Sequence, residues 1–483
     1  MYLIFTLGFI SFLLSLALTP IVRDIFLRRG IVDLPDQFRK LHSHPVPRVG
    51  GIAIAISYGA SFLLVLLLPF SYTHVVEDAL PGIWKMCVAA GLIFLTGLVD
   101  DLIGLKPWQK LAEQLAAACM AYMAGVQISL FPGEAWDPLI SIPVSLLWII
   151  GCTNAFNLID GMDGLAAGVG LFATITVLIA ALSYGNLQLA LLTVPLAGAL
   201  LAFLRYNFNP ASIFLGDSGS MLIGFLLGCY GVLWSQKSAT VLGMTAPLMA
   251  MAIPLLDIGV ALVRRFIRHQ PLFGGDRRHI HHRLLDRGLT PKKAAFLIYG
   301  ASGVAALFSL VQNALTNEFQ GLIIVLFCVA AWIGIQHLGY VEFGVARQMF
   351  VKGAFRRIID SQTQLQQFED SLRSTATIHD AWDAIVAVSR GFGFSSIRAN
   401  LLGRVYEMPI EAKERGLHWQ VRVPLPGNQY INFERSVDAE LSPVLLSGFV
   451  RAVEHNLRLK LEPTSTNTEL ATAPGTLPAS SSQ

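Results

Sequence analysis

The chain has 483 residues, of which 54% are hydrophobic and only 14% charged, with a net charge of +3. Soluble domains carry about 25% charged residues, so most of this chain belongs in lipid, and the small net charge gives no reason to expect a nucleic-acid partner. The five cysteines (Cys87, Cys119, Cys152, Cys229 and Cys328) all lie in apolar stretches without a CxxC pair, which speaks for small buried hydrophobes and against a disulfide framework or a zinc site.

A membrane span needs roughly 20 apolar residues. By that measure eleven spans are predicted, centred near residues 12, 60, 92, 118, 148, 174, 197, 224, 254, 304 and 328. The first, Tyr2 to Val22, lacks a basic leader and an obvious small-residue cleavage site, so it is expected to be retained. The fourth is the weakest, because Lys110, Glu113 and Gln114 occupy its start. Connections after the odd-numbered spans hold 18 Lys and Arg with their helix ends, whereas those after the even-numbered spans hold only Lys85 and Lys237. Basic loops stay on the cytoplasmic side, which places the N-terminus outside and the odd-numbered connections inside.

From about Val341 the composition turns soluble. Residues 341–375 are predicted to form a polar connecting helix, with Phe343, Val345, Met349, Ile358, Ile359, Leu365, Phe368 and Leu372 as its apolar positions. A small α+β unit is expected over 376–462: a helix near Ile378–Gly391, strands near His418–Pro424 and Gln429–Glu434, and a final helix near Leu441–Leu461. Residues 463–483, rich in Thr, Ser and Pro, are expected to be disordered. The fold class is therefore an all-α polytopic membrane protein over residues 1–340, with a small cytoplasmic α+β C-terminal domain whose role no motif specifies.

The unusual residues concentrate in the connections assigned to the cytoplasm. After span 1 comes a Pro- and Gly-punctuated basic loop, Asp33–Gly51. Span 3 ends in Asp100-Asp101, with Lys110 at the start of span 4. Span 5 runs into NAFNLIDGMDG, which contributes Asn154, Asn157, Asp160 and Asp163. The seventh connection leads to Asp217, Ser218 and Ser220, and the ninth is GGDRRHIHHRLLDRG, with Arg278, His279, His281 and His282. Neighbouring carboxylates at a membrane edge repel unless a cation intervenes. Mg²⁺ uses one or two carboxylates plus substrate phosphates, and the basic and histidine residues on the same face supply donors for phosphate oxygens. Metal-assisted chemistry on a phosphate-bearing substrate, with lipid as the second substrate, is the function this pattern suggests.

Each motif also has a plainer reading. Asp100-Asp101 can cap a span, Asn154 and Asn157 can be turn residues, and Asp217 can cap span 8. HIHH makes a poor transition-metal site, since His281 and His282 are adjacent and no Cys lies near. Asp257 sits inside span 9, where an acid is either functional or held by structural hydrogen bonds. The run Arg264–Arg268 is read mainly as a positive-inside anchor.

In order, spacing and placement, the five motifs resemble those of the polyprenyl-phosphate N-acetylhexosamine-1-phosphate transferases over about residues 1–340. HIHHRLLDRGL looks like the branch that uses UDP-N-acetylglucosamine, as in O-antigen or teichoic-acid linkage-unit synthesis. It departs from the branch that makes the first peptidoglycan lipid, which has three consecutive histidines followed by an acid. The resemblance implies transfer of a sugar-1-phosphate from a UDP-N-acetylhexosamine to undecaprenyl phosphate, with release of UMP, at the cytoplasmic face of a bacterial inner membrane. It implies that Asp217 and Asn157 hold Mg²⁺, with Mn²⁺ as a substitute. It further implies that Asp100 and Asp101 position the metal or the attacking phosphate, and that Lys110 contacts the pyrophosphate. Asp160 and Asp163 match acids near the nucleotide, while Asn154 and Arg278, His279, His281 and His282 are expected to line the substrate site. A homodimer is left open. A membrane prenyltransferase needs two facing Asp-rich motifs where this chain has one DxxD, and an ion-coupled transporter needs acids in mid-span where only Asp257 lies.

Overall fold

The computed structural model describes residues 2–33, 44–67, 73–131, 133–236, 244–267, 279–315, 317–337, 365–389, 394–410, 418–436 and 443–461. Arg278, most of the expected connecting helix, and the expected disordered tail lie outside these residues. The chain divides into two units, Met1–Tyr340 and Val341–Gln483.

The first unit is helical. Its elements are α1 (Tyr2–Arg28), α2 (Gly50–Leu67), α3 (Thr73–Ile103), α4 (Pro107–Met123), α5 (Asp137–Ile159), α6 (Leu165–Ser183), α7 (Leu187–Asn207), α8 (Gly216–Ser235), α9 (Thr245–Ala250), α10 (Ala252–Ile267), α11 (Ile280–Asp286), α12 (Pro291–Ala314) and α13 (Asn317–His337). Among the described residues nine helices are long and apolar enough to cross a membrane, so the chain is a multi-pass membrane protein. The remaining two predicted spans take other forms. The fourth is α4, only 17 residues long with a polar first turn. The ninth is broken at Met251 into α9 and α10. Pro254 explains the break, because proline donates no N–H and its ring collides with the carbonyl four residues earlier, here Ala250.

Lipid offers no hydrophobic force between helices, so close contact comes from small residues and interhelical hydrogen bonds. The α1–α7 crossing uses both. Ser11 Oγ donates to the Pro195 carbonyl at 2.7 Å and Ser15 Oγ to the Ala199 carbonyl at 2.9 Å. A Cβ on Gly198 would lie 2.2 Å from the Gly8 carbonyl oxygen. Helix α8 is the buried centre of the unit, and its glycines let neighbours rest on its backbone. Trp148 Nε1 of α5 donates to the Gly228 carbonyl at 2.9 Å, and the Tyr58 and Tyr230 hydroxyls meet at 3.0 Å.

The second unit holds a four-stranded antiparallel sheet in the order β2-β1-β4-β3, built from β1 (Ser396–Leu401), β2 (Arg404–Pro409), β3 (His418–Leu425) and β4 (Gln429–Ser436). Its core joins Ile397, Ile431 and Phe433 to apolar residues of helices Ile378–Ser389 and Pro443–Leu461. Phe368 and Leu372, on a helix over 365–374, are buried in this same core, and Phe368 stacks on Phe449 at 5.0 Å. Two strands were predicted here and four are present. The β1–β2 hairpin escapes a sequence reading because its turn sets Leu402 at φ 49° beside Gly403, a conformation that bulky residues rarely adopt.

The α1–α7 crossing predicts a clear contrast between glycines. Gly198→Ala is expected to lower the thermal unfolding temperature in detergent, at a cost of about 1–3 kcal/mol for overpacking. Gly59→Ala, whose Cβ meets nothing within 4 Å, should leave it unchanged or slightly raised. Equal melting of the two variants would contradict the crossing.

Candidate active site

The site is assembled around the start of α8. A helix begins with backbone N–H groups that have no partner within the helix. Here the Asp101 carboxylate, from the last turn of α3, supplies the acceptors. Its Oδ1 accepts from Asp217 N at 2.8 Å, and its Oδ2 accepts from Ser218 N at 3.0 Å and Ser218 Oγ at 2.6 Å. Such proximity demands small residues. A Cβ on Gly97, one turn before Asp101, would lie 2.5 Å from the Asp217 carbonyl oxygen, and one on Gly51 would lie 2.3 Å from Gly219 N. Gly216, at φ +75°, turns the chain into the helix beneath the Arg48 carbonyl.

With its backbone amide held by Asp101, Asp217 sends its side chain elsewhere. Lys110 Nζ lies 2.6 Å from Asp217 Oδ2 and 2.5 Å from Asp100 Oδ2, so one ammonium joins the two carboxylates. Asp100 Oδ1 also accepts from Leu105 N at 2.7 Å, closing the turn between α3 and α4. Asn157, near the end of α5, sits against the Asp217 carboxylate and donates from Nδ2 to Ser220 Oγ at 3.1 Å. Asn154, one turn earlier, faces α4, where its Nδ2 donates to Gln114 Oε1 at 2.7 Å. That contact locks α5 to α4.

Beside this cluster, and meeting it at Gly216, opens a cleft of about 450 Å³ lined by Arg48, Asp160, Asp163, Asn209, His282 and other residues. Asp163 Oδ2 accepts from Asn209 Nδ2 at 2.8 Å and Ala211 N at 3.0 Å, which ties the DGMDG turn to the loop before α8. Asp160 makes no comparable bond among the described residues. Burial and the nearby Asp217 carboxylate push its carboxyl well above the usual range, with Arg48 opposing. Tyr299 anchors the other end of this turn by donating to the Gly164 carbonyl at 2.6 Å.

The histidine segment forms α11, and its three histidines are in three different environments. His279 Nδ1 lies 3.0 Å from Asp257 Oδ2. His281 is 1% exposed, neither ring nitrogen has a hydrogen-bond partner among the described residues, and a Cβ on Gly161 would lie 2.4 Å from its Nε2. Burial, with His282 adding to it, lowers the His281 pKa to about 3, so its ring is neutral near pH 7. His282 reaches the cleft.

Most of the sequence-derived candidates therefore converge. Asp100, Asp101, Lys110, Asn157 and Asp217 form one cluster, and Asp160, Asp163 and His282 belong to the adjoining cleft. Asn154 and His281 instead face protein interior, and His279 is committed to Asp257. Arg48 and Asn209 were not singled out for chemistry or binding, and Ser218 was named in its motif without a role; the Gly-Gly after Arg48 and the glycine four residues before Asp101 were the available signals. Arg264 and Arg265, expected to anchor the helix at the membrane surface, are buried within the protein.

The profile of glycosyl transferase family 4 matches residues 83–235. The chain is 34% identical over 312 residues to the probable undecaprenyl-phosphate N-acetylglucosaminyl 1-phosphate transferase of Bacillus subtilis, covering 64% of this chain and 84% of that protein. It is 34% identical over 326 residues to the decaprenyl-phosphate N-acetylglucosaminephosphotransferase of Mycolicibacterium smegmatis, covering 62% and 79%. It is also 26% identical over 355 residues to the undecaprenyl-phosphate alpha-N-acetylglucosaminyl 1-phosphate transferase of Escherichia coli, covering 70% and 90%.

The capping geometry yields its own test. Asp101→Ala leaves three donors of α8 without their acceptor, at about 1–3 kcal/mol for each buried group left unpaired. A large fall in melting temperature is expected, with Ser218→Ala causing a much smaller one. An Asp101→Ala protein as stable as wild type would show that the cap does not hold the helix.

Proposed function

The chain belongs to glycosyl transferase family 4, the polyprenyl-phosphate sugar-1-phosphate transferases, and from that premise we propose that it moves N-acetylglucosamine-1-phosphate from its UDP-sugar to undecaprenyl phosphate. The observation that carries this reading is the joint of Asp100, Lys110 and Asp217 beside a cleft lined by cationic and hydrogen-bonding groups. The names of the relatives support the sugar and the lipid carrier.

A divalent cation fits this joint, because the Lys110 ammonium already bridges two carboxylates there, and Asp217 with Asn157 offers the hard oxygen donors that Mg²⁺ or Mn²⁺ takes. When bound, the cation neutralises charge on the donor diphosphate. Asp217 and Asn157 would hold it. Asp101 acts at one remove, as the positioning group that fixes Asp217. Lys110 and Arg48 donate to phosphate oxygens, and Asp100 orients the acceptor phosphate. Asp160 and Asp163 shape the nucleotide end of the cleft, with Asp163 holding the loop that carries Asn209. An oxygen of the lipid phosphate attacks the β-phosphorus, and the bridging oxygen departs with UMP. A lipid phosphate is already anionic at neutral pH, so direct attack needs no covalent enzyme intermediate. An apolar cavity of about 670 Å³, lined by Gln127, Leu130, Leu147, Trp148, Gln236 and Leu248 among others, reaches the α4–α5 connection and the end of α8 remote from Asp217.

In this reading eleven segments enter the membrane, α4 and the broken α9–α10 included, with the N-terminus outside and the site facing the cytoplasm of a bacterial inner membrane. The unit beyond Val341 acts in self-association or regulation, not in transfer. A transporter is disfavoured because Asp257, the acid in mid-helix, is already engaged by His279.

Purified protein incubated with radiolabelled UDP-N-acetylglucosamine, undecaprenyl phosphate and Mg²⁺ is expected to yield labelled lipid and UMP. Absence of product from folded protein would overturn the assignment. Asp217→Asn should lower kcat by at least about 100-fold, the scale of losing transition-state charge stabilisation, while the melting temperature stays near wild type. For topology, a cysteine introduced near Asp137 in a cysteine-free background should react with an impermeant reagent in intact cells. One near Pro107 should react only after permeabilisation, and the opposite pattern would invert the orientation.

A further inference from the structure

The geometry points to Asp257 as a positioning residue: it fixes the ring of His279 and the first turn of α11, and through them sets how tightly the donor is held. This goes beyond the reading above and rests on its donor cleft, which His282 of the histidine segment reaches.

Asp257 is 2% exposed on α10, a helix inside the membrane-embedded unit. A buried carboxylate there is costly unless its oxygens are bonded. Both are. Oδ2 meets His279 Nδ1 at 3.0 Å, and Oδ1 accepts from Ile280 N, the first residue of α11, at 2.9 Å. His279 is the N-cap residue of α11, yet its side chain makes no capping bond. Asp257 supplies the cap from another helix. A carboxylate only accepts, so the bond fixes the proton of His279 on Nδ1 and leaves Nε2 as the ring's other polar atom.

A second hold comes from His281, whose ring stacks on that of His279 at 5.9 Å and packs against Gly161 in the DGMDG turn. The helix is therefore held by a carboxylate on α10 and by the turn that carries Asp160 and Asp163, and His282 reaches the cleft. Without Asp257 the first turn loses its anchor, while the walls of the cleft formed by the α1–α2 connection, the turn after α5 and the loop before α8 are untouched. The predicted signature is a loss of donor affinity. An acid that served general stability alone would give lower melting temperature with normal kinetic constants.

The test combines steady-state kinetics with amide hydrogen exchange on full-length protein in detergent. Asp257→Ala is expected to raise the donor KM about tenfold, the usual scale for removing the partner that orients a functional histidine. The KM for undecaprenyl phosphate should change little, and the amides at the start of α11 should exchange faster. In a His279→Ala background the same substitution should add little to the donor KM. Asp257→Asn, which keeps the size and one acceptor, should lie between wild type and alanine and serves if Asp257→Ala does not fold. Wild-type donor KM and wild-type exchange in both variants would overturn the proposal. Fully additive effects of Asp257→Ala and His279→Ala would overturn it too. If His279→Ala and His282→Ala both keep the wild-type donor KM, the donor-facing reading of the segment fails, and unaltered exchange at Ile280 would then overturn the anchoring role of Asp257 separately.

Discussion

The arrangement depends on a single carboxylate meeting the start of a buried helix. Asp101 accepts two backbone amides and a hydroxyl of α8, groups that in lipid have no water to fall back on. This bond fixes the depth of α8 against α3. It also decides where the Asp217 side chain goes, because the backbone of that residue is already held. The small residues nearby, Gly51, Gly97 and Gly216, follow from the same requirement, since each stands where a Cβ would strike backbone.

From this joint the functional groups radiate along the elements that converge on it. Helix α3 contributes Asp100, α4 contributes Lys110 and α5 contributes Asn157, while the turn after α5 brings Asp160 and Asp163 to the adjoining cleft. The Lys110 ammonium, 2.5 Å and 2.6 Å from two acids, keeps these carboxylates from facing one another unscreened. The cationic and anionic groups of the cluster are thus paired with one another, and the proposed function has a diphosphate with its counter-cation exchange those pairings.

What the sequence disclosed was set by the range of the interactions. Most of the spans and the clustering of acids with histidines are local or compositional, and they were legible. So was the convergence of Asp100, Lys110, Asn157 and Asp217. Partnerships between distant residues were not legible. Asp101 and Asp217 stand 116 positions apart, and GDSG on its own suggested that Asp217 would cap α8. The acid that caps this helix from outside belongs to α3. Asp257 had two readings in the sequence because nothing there reveals that His279, 22 positions on, returns to it. The divided ninth span follows from Pro254, a local signal overridden by the apolarity around it. The β1–β2 hairpin was hidden because Leu402 occupies a turn position where glycine or asparagine is expected.

Counting acceptors separates the acids of this protein by what they are free to do. Asp101 and Asp257 each spend both oxygens, partly on the backbone amides of a helix start, and Asp163 holds a backbone amide and Asn209. Changing the partners of these three would undo a helix end or a loop, so their places are fixed while the fold is intact. Asp100 and Asp217 each give one oxygen to the Lys110 side chain, whose long stem allows it to be displaced without moving backbone, while the other oxygen of Asp100 holds the Leu105 amide. Asp160 faces a cleft instead of an amide. In a membrane interior, where every buried carboxylate must be paired, the acids available for chemistry are those whose partner is mobile. By that criterion Asp100 and Asp217 are the acids whose shared partner can be exchanged, as the proposed function requires of them, and Asp101, Asp163 and Asp257 hold the surrounding elements in place.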